Sequence, residues 1–124
     1  MYEGKMNCPF CEYDPVIDGT LVYVRYDIYP VSKGHCLVMP KRHVETWFDL
    51  NKEEQAEAFE LIDQVKARLD KEYAPDGYNI GFNCGEAAGQ TIPHAHIHVI
   101  PRYKGGMENP RGGVRGVIPE KQNY

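Results

Sequence analysis

The strongest regular pattern of apolar and polar positions lies in the middle of the chain and is that of an amphipathic helix. The pattern starts after Asn51, a residue that favours helix N-termini, and Glu54 three residues later can complete a capping box. Glutamate and lysine residues occupy the opposite face, so we expect a helix that ends near Tyr73, before the turn-forming residues 74–77. The predicted buried stripe, at spacings of three, three and four, consists of Phe59, Ile62, Val65 and Leu69.

Shorter segments on both sides of this helix have the composition of β-strands. Residues 12–19 and 27–34 contain the glycine, proline and aspartate that favour turns and loops. The strands do not alternate one by one with helices, which argues against a parallel sheet. The sequence therefore predicts an α+β fold in which one long helix packs on a mainly antiparallel sheet. The predicted strands, which are rich in β-branched, aromatic or other apolar residues, are 20–26, 35–39, 78–83 and 94–100.

Three histidines alternate with apolar residues in the last of these strands. Side chains on a strand alternate between faces, so His94, His96 and His98 would share one face and leave the other apolar. Burying three unpaired imidazoles is unfavourable, so this face needs a metal, a ligand or a polar network. Neighbours on one face lie about 6.6 Å apart, whereas zinc holds nitrogen ligands at about 2.1 Å. One zinc ion therefore cannot bind all three, and we expect the row to be divided.

The first two of the four cysteines form a Cys-x-x-Cys pair, Cys8-Pro9-Phe10-Cys11. The pair is either a redox couple or half of a zinc site. A thioredoxin-like couple needs a preceding strand, for which seven N-terminal residues leave little room, so zinc is favoured. With His43 and one end of the histidine row, the pair would make a closed structural site that ties the N-terminus to the sheet. Cys36 and Cys84 have apolar or glycine neighbours, and we expect both in the core.

The chemistry that suits adjacent histidines is nucleophilic attack on phosphorus. No Gly-x-Ser-x-Gly elbow is present, and Ser32 is the only serine. A neutral histidine is a competent nucleophile near pH 7, and a second one can stabilise phosphoryl oxygens or protonate a leaving group. The small residues of 85–89 would let backbone N–H groups approach an anion, with Gln90 and Thr91 as additional side-chain donors. We therefore expect a phosphate cradle next to the histidines.

Composition and charge limit the class of protein in which this chemistry could take place. With 124 residues and only short apolar runs, the chain predicts one domain without a membrane span. Residues 1–10 lack a secretory pattern, so we expect a reduced, cytoplasmic protein. The net charge of −4 (14 basic minus 18 acidic residues) argues against a general nucleic-acid binder. The charge is unevenly distributed, because residues 102–124 contain five basic and two acidic side chains, net +3. We expect this tail to be irregular from about Lys104, and its positive charge indicates a local anion site.

These motifs together resemble the histidine triad (HIT) superfamily. Its signature, His-x-His-x-His followed by two apolar residues, is present at 94–100 as HAHIHVI. The CPFC pair at 8–11, the segment GHCLVMPKRH at 34–43 and GQT at 89–91 match at compatible spacing. The resemblance covers nearly the whole chain and implies a single HIT domain over 1–124, a five-stranded antiparallel sheet with helices, and a homodimer.

The resemblance also implies a reaction and a role for each site residue. Family members are nucleotidyl hydrolases or transferases that act at the α-phosphate of a nucleotide conjugate. By this resemblance His96 is the nucleophile, which forms a nucleotidyl-histidine intermediate, while His98 and His35 polarise phosphoryl oxygens near the leaving group. His94 would orient His96. In zinc-carrying members the ligands of one structural zinc ion would be Cys8, Cys11, His43 and His94. The substrate contacts would be Asp27 at the ribose and Asn83, Gly89, Gln90 and Thr91 at the phosphates.

The basic tail bears on the choice of substrate. Arg111 or Arg115 could reach a polyphosphate, which favours a dinucleoside polyphosphate such as diadenosine tetraphosphate. A nucleoside phosphoramidate would need this charge less and is the alternative substrate, and a nucleotide-binding protein with weak activity is a further alternative. For each arginine, an equally good interpretation is a solvated tail without a ligand.

Overall fold

The computed structural model of the protein describes residues 8–124 and shows there one sheet and one long helix. The helix is α1 (Lys52–Tyr73), and the strands are β1 (Ile17–Asp18), β2 (Val22–Tyr26), β3 (Cys36–Pro40), β4 (Gly77–Gly81) and β5 (Ile97–Arg102). The sheet has the order β1-β2-β3-β5-β4, and every neighbouring pair is antiparallel. The predicted α+β fold with a five-stranded antiparallel sheet is therefore confirmed.

The sequence predicts a chain without a membrane span and without a secretory pattern. No helix among residues 8–124 is long and apolar enough to cross a membrane. The expectation that residues 1–10 carry no secretory pattern falls largely on 1–7, which lie outside the described residues.

Helix α1 begins where the sequence predicts, and it buries Val65 and Leu69 as predicted but not the other two residues of the predicted stripe. The Asn51 side chain accepts a hydrogen bond from the Glu54 N–H (2.8 Å), and the Glu54 carboxylate accepts one from the Asn51 N–H (2.9 Å). The predicted burial of Phe59 is wrong: its side chain is 59% exposed and packs against Trp47, with ring centroids 5.5 Å apart. Ile62 is only partly buried. The stripe that faces the sheet consists of Ala58, Leu61, Val65 and Leu69.

Several strand boundaries differ from the predicted ones because strand pairing, rather than composition, sets them. Strand β1 lies within 12–19, which the sequence indicated as turns, and it has only two residues, paired with β2. Strand β4 ends at Gly81, short of the predicted limit. The prediction that the last strand starts at His94 is wrong, because residues 94–96 precede the segment that pairs with β3 and β4.

One face of the sheet packs against α1 and forms the main core. Cys36 is buried in this core, as predicted, and burial raises the pKa of its thiol to about 12. Cys84 is partly exposed and lies outside the strands, so the prediction of a core position for it is wrong. The opposite face carries a second apolar cluster, in which Phe10 packs on Tyr23, Leu37 and Met39. The main core consists of Val22, Val24, Cys36, Val38, Ile97 and Val99 from the sheet with Ala58, Leu61, Val65 and Leu69 from the helix.

The basic C-terminal segment, which the sequence predicts as irregular, contains two short 3₁₀ helices, Gly113–Val117 and Pro119–Lys121. The segment packs on the body of the domain at strand β4, where a Cβ atom on Gly113 would lie 3.2 Å from the amide nitrogen of Asn79. The two tail arginines both lie over the ring of Tyr124, Arg111 at 5.1 Å and Arg115 at 4.6 Å from its centroid. The charges of these two arginines are thus held beside Tyr124.

Candidate active site

The histidine row is divided between two places in the structure. His94 and His96 precede β5, and only His98 lies within it. His94 is fully buried and faces the two cysteines of the N-terminal pair. His96 and His98 are partly exposed and line a cavity on the sheet face that does not pack against α1.

Four side chains converge at the buried end of the row. The ligand atoms of Cys8, Cys11, His43 and His94 all lie within 4.8 Å of one another. The Cys11 sulfur is 3.1 Å from His43 Nδ1, and His94 Nδ1 is 3.5 Å from each of the two sulfurs. Two thiols and two imidazoles are the donor set of a closed, tetrahedral structural zinc site.

The hydrogen bond made by the second ring nitrogen of His94 also fits a bound zinc ion. His94 Nε2 lies 2.8 Å from the Pro40 carbonyl oxygen, so this nitrogen carries the proton and donates it. The lone pair of Nδ1 then faces the cysteines, and a ring whose other nitrogen donates to a carbonyl is typical of zinc-bound histidine. Burial lowers the pKa of His94 to about 4, which keeps the ring neutral, as a metal ligand must be. The residues present therefore fit zinc.

His96 is held in the tautomer that a nucleophile needs. Its Nδ1 lies 2.8 Å from the His94 carbonyl oxygen and donates to it, which leaves the lone pair on Nε2. Burial lowers the pKa of His96, so the ring is neutral near pH 7. The ring of Phe10 packs edge-on against His96 with centroids 4.8 Å apart. The arrangement presents an uncharged, oriented imidazole nitrogen at the cavity.

A chain of hydrogen bonds through His35 fixes the tautomer of His98. The Val31 N–H donates to His35 Nδ1 (3.0 Å), so His35 carries its proton on Nε2. His35 Nε2 lies 3.0 Å from His98 Nδ1 and donates to it, which leaves the His98 proton on Nε2. Burial, reinforced by the nearby histidines, lowers the pKa of His98 to about 4. His98 is therefore a neutral hydrogen-bond donor beside the nucleophile.

Asp27 lies next to this chain, with its Oδ2 atom 3.5 Å from His35 Nε2. Ligand atoms of Asp27, His35 and His98 lie within 4.8 Å of one another, a spacing at which a metal could bind. The tautomer argues against a metal there, because His35 uses the Nδ1 lone pair for Val31 and has a proton on Nε2. We interpret these three residues as a hydrogen-bonded group.

The cavity beside the histidines has a volume of about 450 Å³ and combines apolar walls with a few polar groups. All the residues that the sequence predicts as substrate contacts line it. Asp27 borders it at one side, and its Oδ1 atom accepts a hydrogen bond from the Tyr29 N–H (2.8 Å). The lining includes Phe10, Asp27, His35, Asn83, Gly89, Gln90, Thr91, His96 and His98.

The predicted phosphate cradle is a tight loop that Gln90 braces from within. Gly85 and Gly89 have φ values of 90° and 93°, which glycine adopts without strain. The Gln90 side-chain oxygen accepts from the Gly85 N–H (2.9 Å), and its Nε2 donates to the Glu45 (2.7 Å) and Ile92 (3.1 Å) carbonyl oxygens. The amide of Gln90 is thus engaged within the protein, and Thr91 is the side chain of this loop with a hydroxyl at the cavity.

Other features of the site differ from the sequence expectation or escape it. Arg111 and Arg115 do not line the cavity, so the structure does not bring them to the histidines. The residue type of Val31 gives no sign of its role at the site, because Val31 acts through its main-chain N–H. The hint is its position four residues before His35, directly before a turn that the His35 N–H and the Ser32 carbonyl close (3.1 Å).

Similarity to known proteins shows the family of this chain. The profile of the HIT domain matches residues 12–105. The chain belongs to the HIT family. Among its relatives is Protein hit of Bacillus subtilis, 36% identical over 107 residues that cover 81% of this chain and 74% of that protein.

Two relatives from Schizosaccharomyces pombe carry enzyme names. Adenosine 5'-monophosphoramidase hnt1 is 34% identical over 107 residues, 78% of this chain and 75% of that protein. Bis(5'-nucleosyl)-tetraphosphatase [asymmetrical] is 38% identical over 78 residues, 63% of this chain and 43% of that protein.

Solved structures of HIT proteins have the same fold. A HIT family protein from Bacillus anthracis superposes with a TM-score of 0.75 at 36% identity, covering 81% of this chain and 76% of that one. A zinc-bound histidine triad family protein from Mycobacterium smegmatis superposes with a TM-score of 0.73 at 32% identity, covering 82% of this chain and 79% of that one.

Proposed function

We propose that this HIT protein hydrolyses nucleotide conjugates at the α-phosphate, with His96 as the nucleophile. The observation that carries the proposal is the hydrogen bond from His96 Nδ1 to the His94 carbonyl oxygen (2.8 Å), because it directs a free Nε2 lone pair to the reaction. The names of the two S. pombe relatives, one acting on a phosphoramidate and one on a tetraphosphate, support chemistry at the phosphate of a nucleotide.

The first step is a displacement at phosphorus. The bond from His96 Nε2 to phosphorus forms while the bond to the leaving group breaks, and the leaving atom takes up a proton from solvent. His98 Nε2–H donates to the phosphoryl oxygen or to the leaving atom, which stabilises the charge that develops there. The attacking imidazole of His96 becomes positively charged, and its Nδ1–H still faces the partly negative His94 carbonyl oxygen. These contacts favour a nucleotidyl-histidine intermediate.

The second step is hydrolysis of that intermediate. Water attacks phosphorus, the bond to His96 breaks, and the proton released by water balances the one taken up by the leaving atom. Thr91 would hold phosphoryl oxygens through its hydroxyl, because four of the six N–H groups of residues 85–90 donate to acceptors within the loop. Asp27 and Asn83 border the same cavity, and we assign Asp27 to the ribose hydroxyls because a carboxylate accepts two hydrogen bonds from a diol.

We also propose that one structural zinc ion binds to Cys8, Cys11, His43 and His94. The support is the convergence of their four ligand atoms within 4.8 Å and the Pro40 bond that orients His94. Zinc supplies a rigid cross-link between the N-terminal segment and the sheet when it is bound. Thiolate ligands must stay reduced, so we place the protein in a reducing compartment, the cytoplasm.

We further propose that two copies form a homodimer through an aromatic surface made by Trp47, Phe48, Phe59 and Phe82. Phe48 and Phe59 are 73% and 59% exposed, and the ring of Trp47 stacks on that of Phe82 with centroids 5.4 Å apart. Strand β4 lies beside this surface and pairs, within residues 8–124, with β5 alone. Sedimentation equilibrium should give a dimer for the wild type and a larger monomer fraction for Phe48→Ser, whereas a monomeric wild type would refute the proposal.

The test of the proposed reaction compares the wild type with His96→Gln on adenosine 5'-phosphoramidate and diadenosine tetraphosphate. We expect the wild type to release AMP from at least one of them, and kcat to fall at least about a thousandfold in the variant. Matching thermal unfolding of the two proteins shows that the loss is chemical. A variant that keeps a tenth or more of the activity would overturn the assignment of His96.

A further inference from the structure

A cation, Arg25, lines the same cavity as His96 and lies on strand β2. Arg25 pairs across the sheet with Leu37 of β3, and Leu37 pairs with His98 of β5, so these three side chains form a row on one face. All three line the cavity. Neighbouring strands lie about 4.8 Å apart, which separates the backbones of Arg25 and His98 by about 10 Å. Arg25 is therefore at the end of the cavity away from the histidine row.

A nucleotide in this cavity would turn its base toward Arg25. In the proposed function the phosphate is at His96 and the ribose is at Asp27, so the base occupies the part of the cavity beyond the ribose. Asp27 follows Arg25 by two residues, and such neighbours on a strand point to the same face about 6.6 Å apart. Phe10 and Ile28 supply apolar surface at this end, on which a base can pack. The edge of the base would then face the Arg25 guanidinium.

The Arg25 guanidinium is held in place at one of its three nitrogens. Its Nη1 atom donates to the carbonyl oxygens of Pro9 (3.3 Å) and Glu12 (3.1 Å), which uses both hydrogens of that nitrogen. The Cζ atom lies 5.9 Å from the centroid of the Phe10 ring. Within residues 8–124, Nε and Nη2 have no carbonyl or carboxylate partner. The side chain is therefore oriented by the protein and keeps donors for a ligand.

The donors that remain on Arg25 favour a base with two neighbouring acceptors. Nε and Nη2 lie on one edge of the guanidinium and donate in parallel, which suits a pair of acceptors on one edge of a ligand. A 6-oxopurine, guanine or hypoxanthine, has such a pair in O6 and N7, whereas adenine has an amino group in place of O6. Adenine would therefore lose one of the two hydrogen bonds and turn its amino hydrogens toward the N–H groups of Arg25.

We propose that Arg25 selects 6-oxopurine nucleotides, those of guanine and hypoxanthine, over adenine nucleotides. The inference rests on the nucleotide binding in the proposed function and names the base that this cavity takes. Arg25 is a specificity-determining residue in this assignment, because its guanidinium touches the base and not the reacting atoms. Its signal in the sequence is a basic residue two positions before Asp27, on the same face of the strand.

The test is isothermal titration calorimetry of the wild-type protein with GMP, IMP and AMP, which needs no turnover. We expect GMP and IMP to bind at least about tenfold more tightly than AMP. Equal affinities for GMP and AMP would overturn the inference. IMP that binds as weakly as AMP would also overturn it, because the 2-amino group of guanine would then be the feature recognised. Failure of all three to bind at millimolar concentration would overturn it too, whereas the proposed function stands or falls on turnover of a conjugate.

A pair of leucine substitutions locates the preference. Arg25→Leu should lower the affinity for GMP about tenfold and change that for AMP less than about twofold. Loss of the contacts with Pro9 and Glu12 alone would weaken both nucleotides alike, so the ratio of the two affinities separates base recognition from a structural role. Arg68→Leu is the matched control, because Arg68 also donates to a main-chain carbonyl, that of Val16 (3.1 Å), and does not line the cavity. If Arg25→Leu keeps the preference, or if both variants change the ratio equally, the inference is wrong.

Discussion

Main-chain groups determine which nitrogen of each site histidine carries a proton. The Pro40 carbonyl fixes His94, and the His94 carbonyl in turn fixes His96. The Val31 N–H fixes His35 and, through it, His98. The residue types at the site could be predicted because the histidines alternate in the sequence. The protonation pattern could not be, because it depends on carbonyl and N–H groups that only the folded chain brings to the rings.

The buried, neutral histidines predict a pH profile that extends further into acid than usual. Burial lowers the pKa of His98 to about 4, so its ring stays neutral as the pH falls through 6, and burial also lowers the pKa of His96 below its ordinary value. A histidine of ordinary pKa, about 6.5, would have lost about three quarters of its neutral form at pH 6. We therefore expect kcat/KM for adenosine phosphoramidate to fall between pH 8 and 6 by clearly less than the roughly fourfold loss of such a histidine.

The measurement is kcat/KM at half-unit steps of pH, with circular dichroism at each step to confirm that the protein stays folded. A half-maximal loss of activity near pH 6.5 would show that a histidine with an ordinary pKa limits the reaction. Such a profile would contradict the claim that burial keeps His96 and His98 neutral.

At the level of elements, Glu54 links the start of α1 to the loop after β3. Its carboxylate is buried and accepts from the Asn51 N–H (2.9 Å) and from Arg42 Nη2 (2.8 Å) and Nε (3.1 Å). The Arg42 guanidinium lowers the pKa of Glu54, so the carboxylate is charged at neutral pH. This contact holds the segment that carries His43 against the helix.

Replacing Glu54 should therefore destabilise the whole domain. We expect Glu54→Ala to lower the free energy of unfolding by roughly 1 to 2 kcal/mol, since it removes half of the capping box and the buried partner of an ion pair whose other side chain, Arg42, is half exposed. Glu53→Ala, at the exposed neighbouring position, should change it by less than about 0.5 kcal/mol. Urea unfolding of both variants measures the difference. Equal effects would mean that the buried contact adds nothing beyond the loss of a surface charge.

Elements that a local sequence pattern marks could be predicted, whereas elements that depend on pairing with another strand could not. The start of α1 follows from Asn51 and Glu54, three residues apart. Strand β1 has two residues, too few for a pattern, and exists because β2 lies beside it. Helical spacing alone permitted either Phe59 or Ala58 to face the sheet. In the structure the smaller residue, Ala58, packs against the sheet, and Phe59 packs against Trp47 instead.

At the level of the whole molecule, the proposed zinc site joins segments that are far apart in the sequence. Cys8 and His94 are 86 residues apart, and His43 lies on the loop after β3. His94 belongs to this site through its ring and to the active site through its carbonyl. The types of the ligands could be predicted from the sequence, but the carbonyl that connects the two sites could not.

Loss of a ligand should release zinc and loosen the fold. We expect Cys11→Ser to lose the metal and to unfold at a temperature at least about 5 °C lower than the wild type. Cys84→Ser is the control, because Cys84 is also partly exposed but lies outside the cluster. Atomic absorption and calorimetry of protein purified without chelators give both quantities. Wild-type protein without zinc, or equal zinc in both variants, would refute the site.

Trapping the intermediate shows whether His96 carries the reaction. Wild-type protein mixed with an adenosine phosphoramidate is quenched within milliseconds in alkaline denaturant, which preserves phosphorus–nitrogen bonds, and is then digested and mapped by mass spectrometry. The proposed mechanism predicts one adenylyl group, attached to the peptide that contains residues 94–98 and located on His96, and none in His96→Gln. An adenylyl group on any other residue, or turnover without a trapped adenylyl-protein, would contradict it.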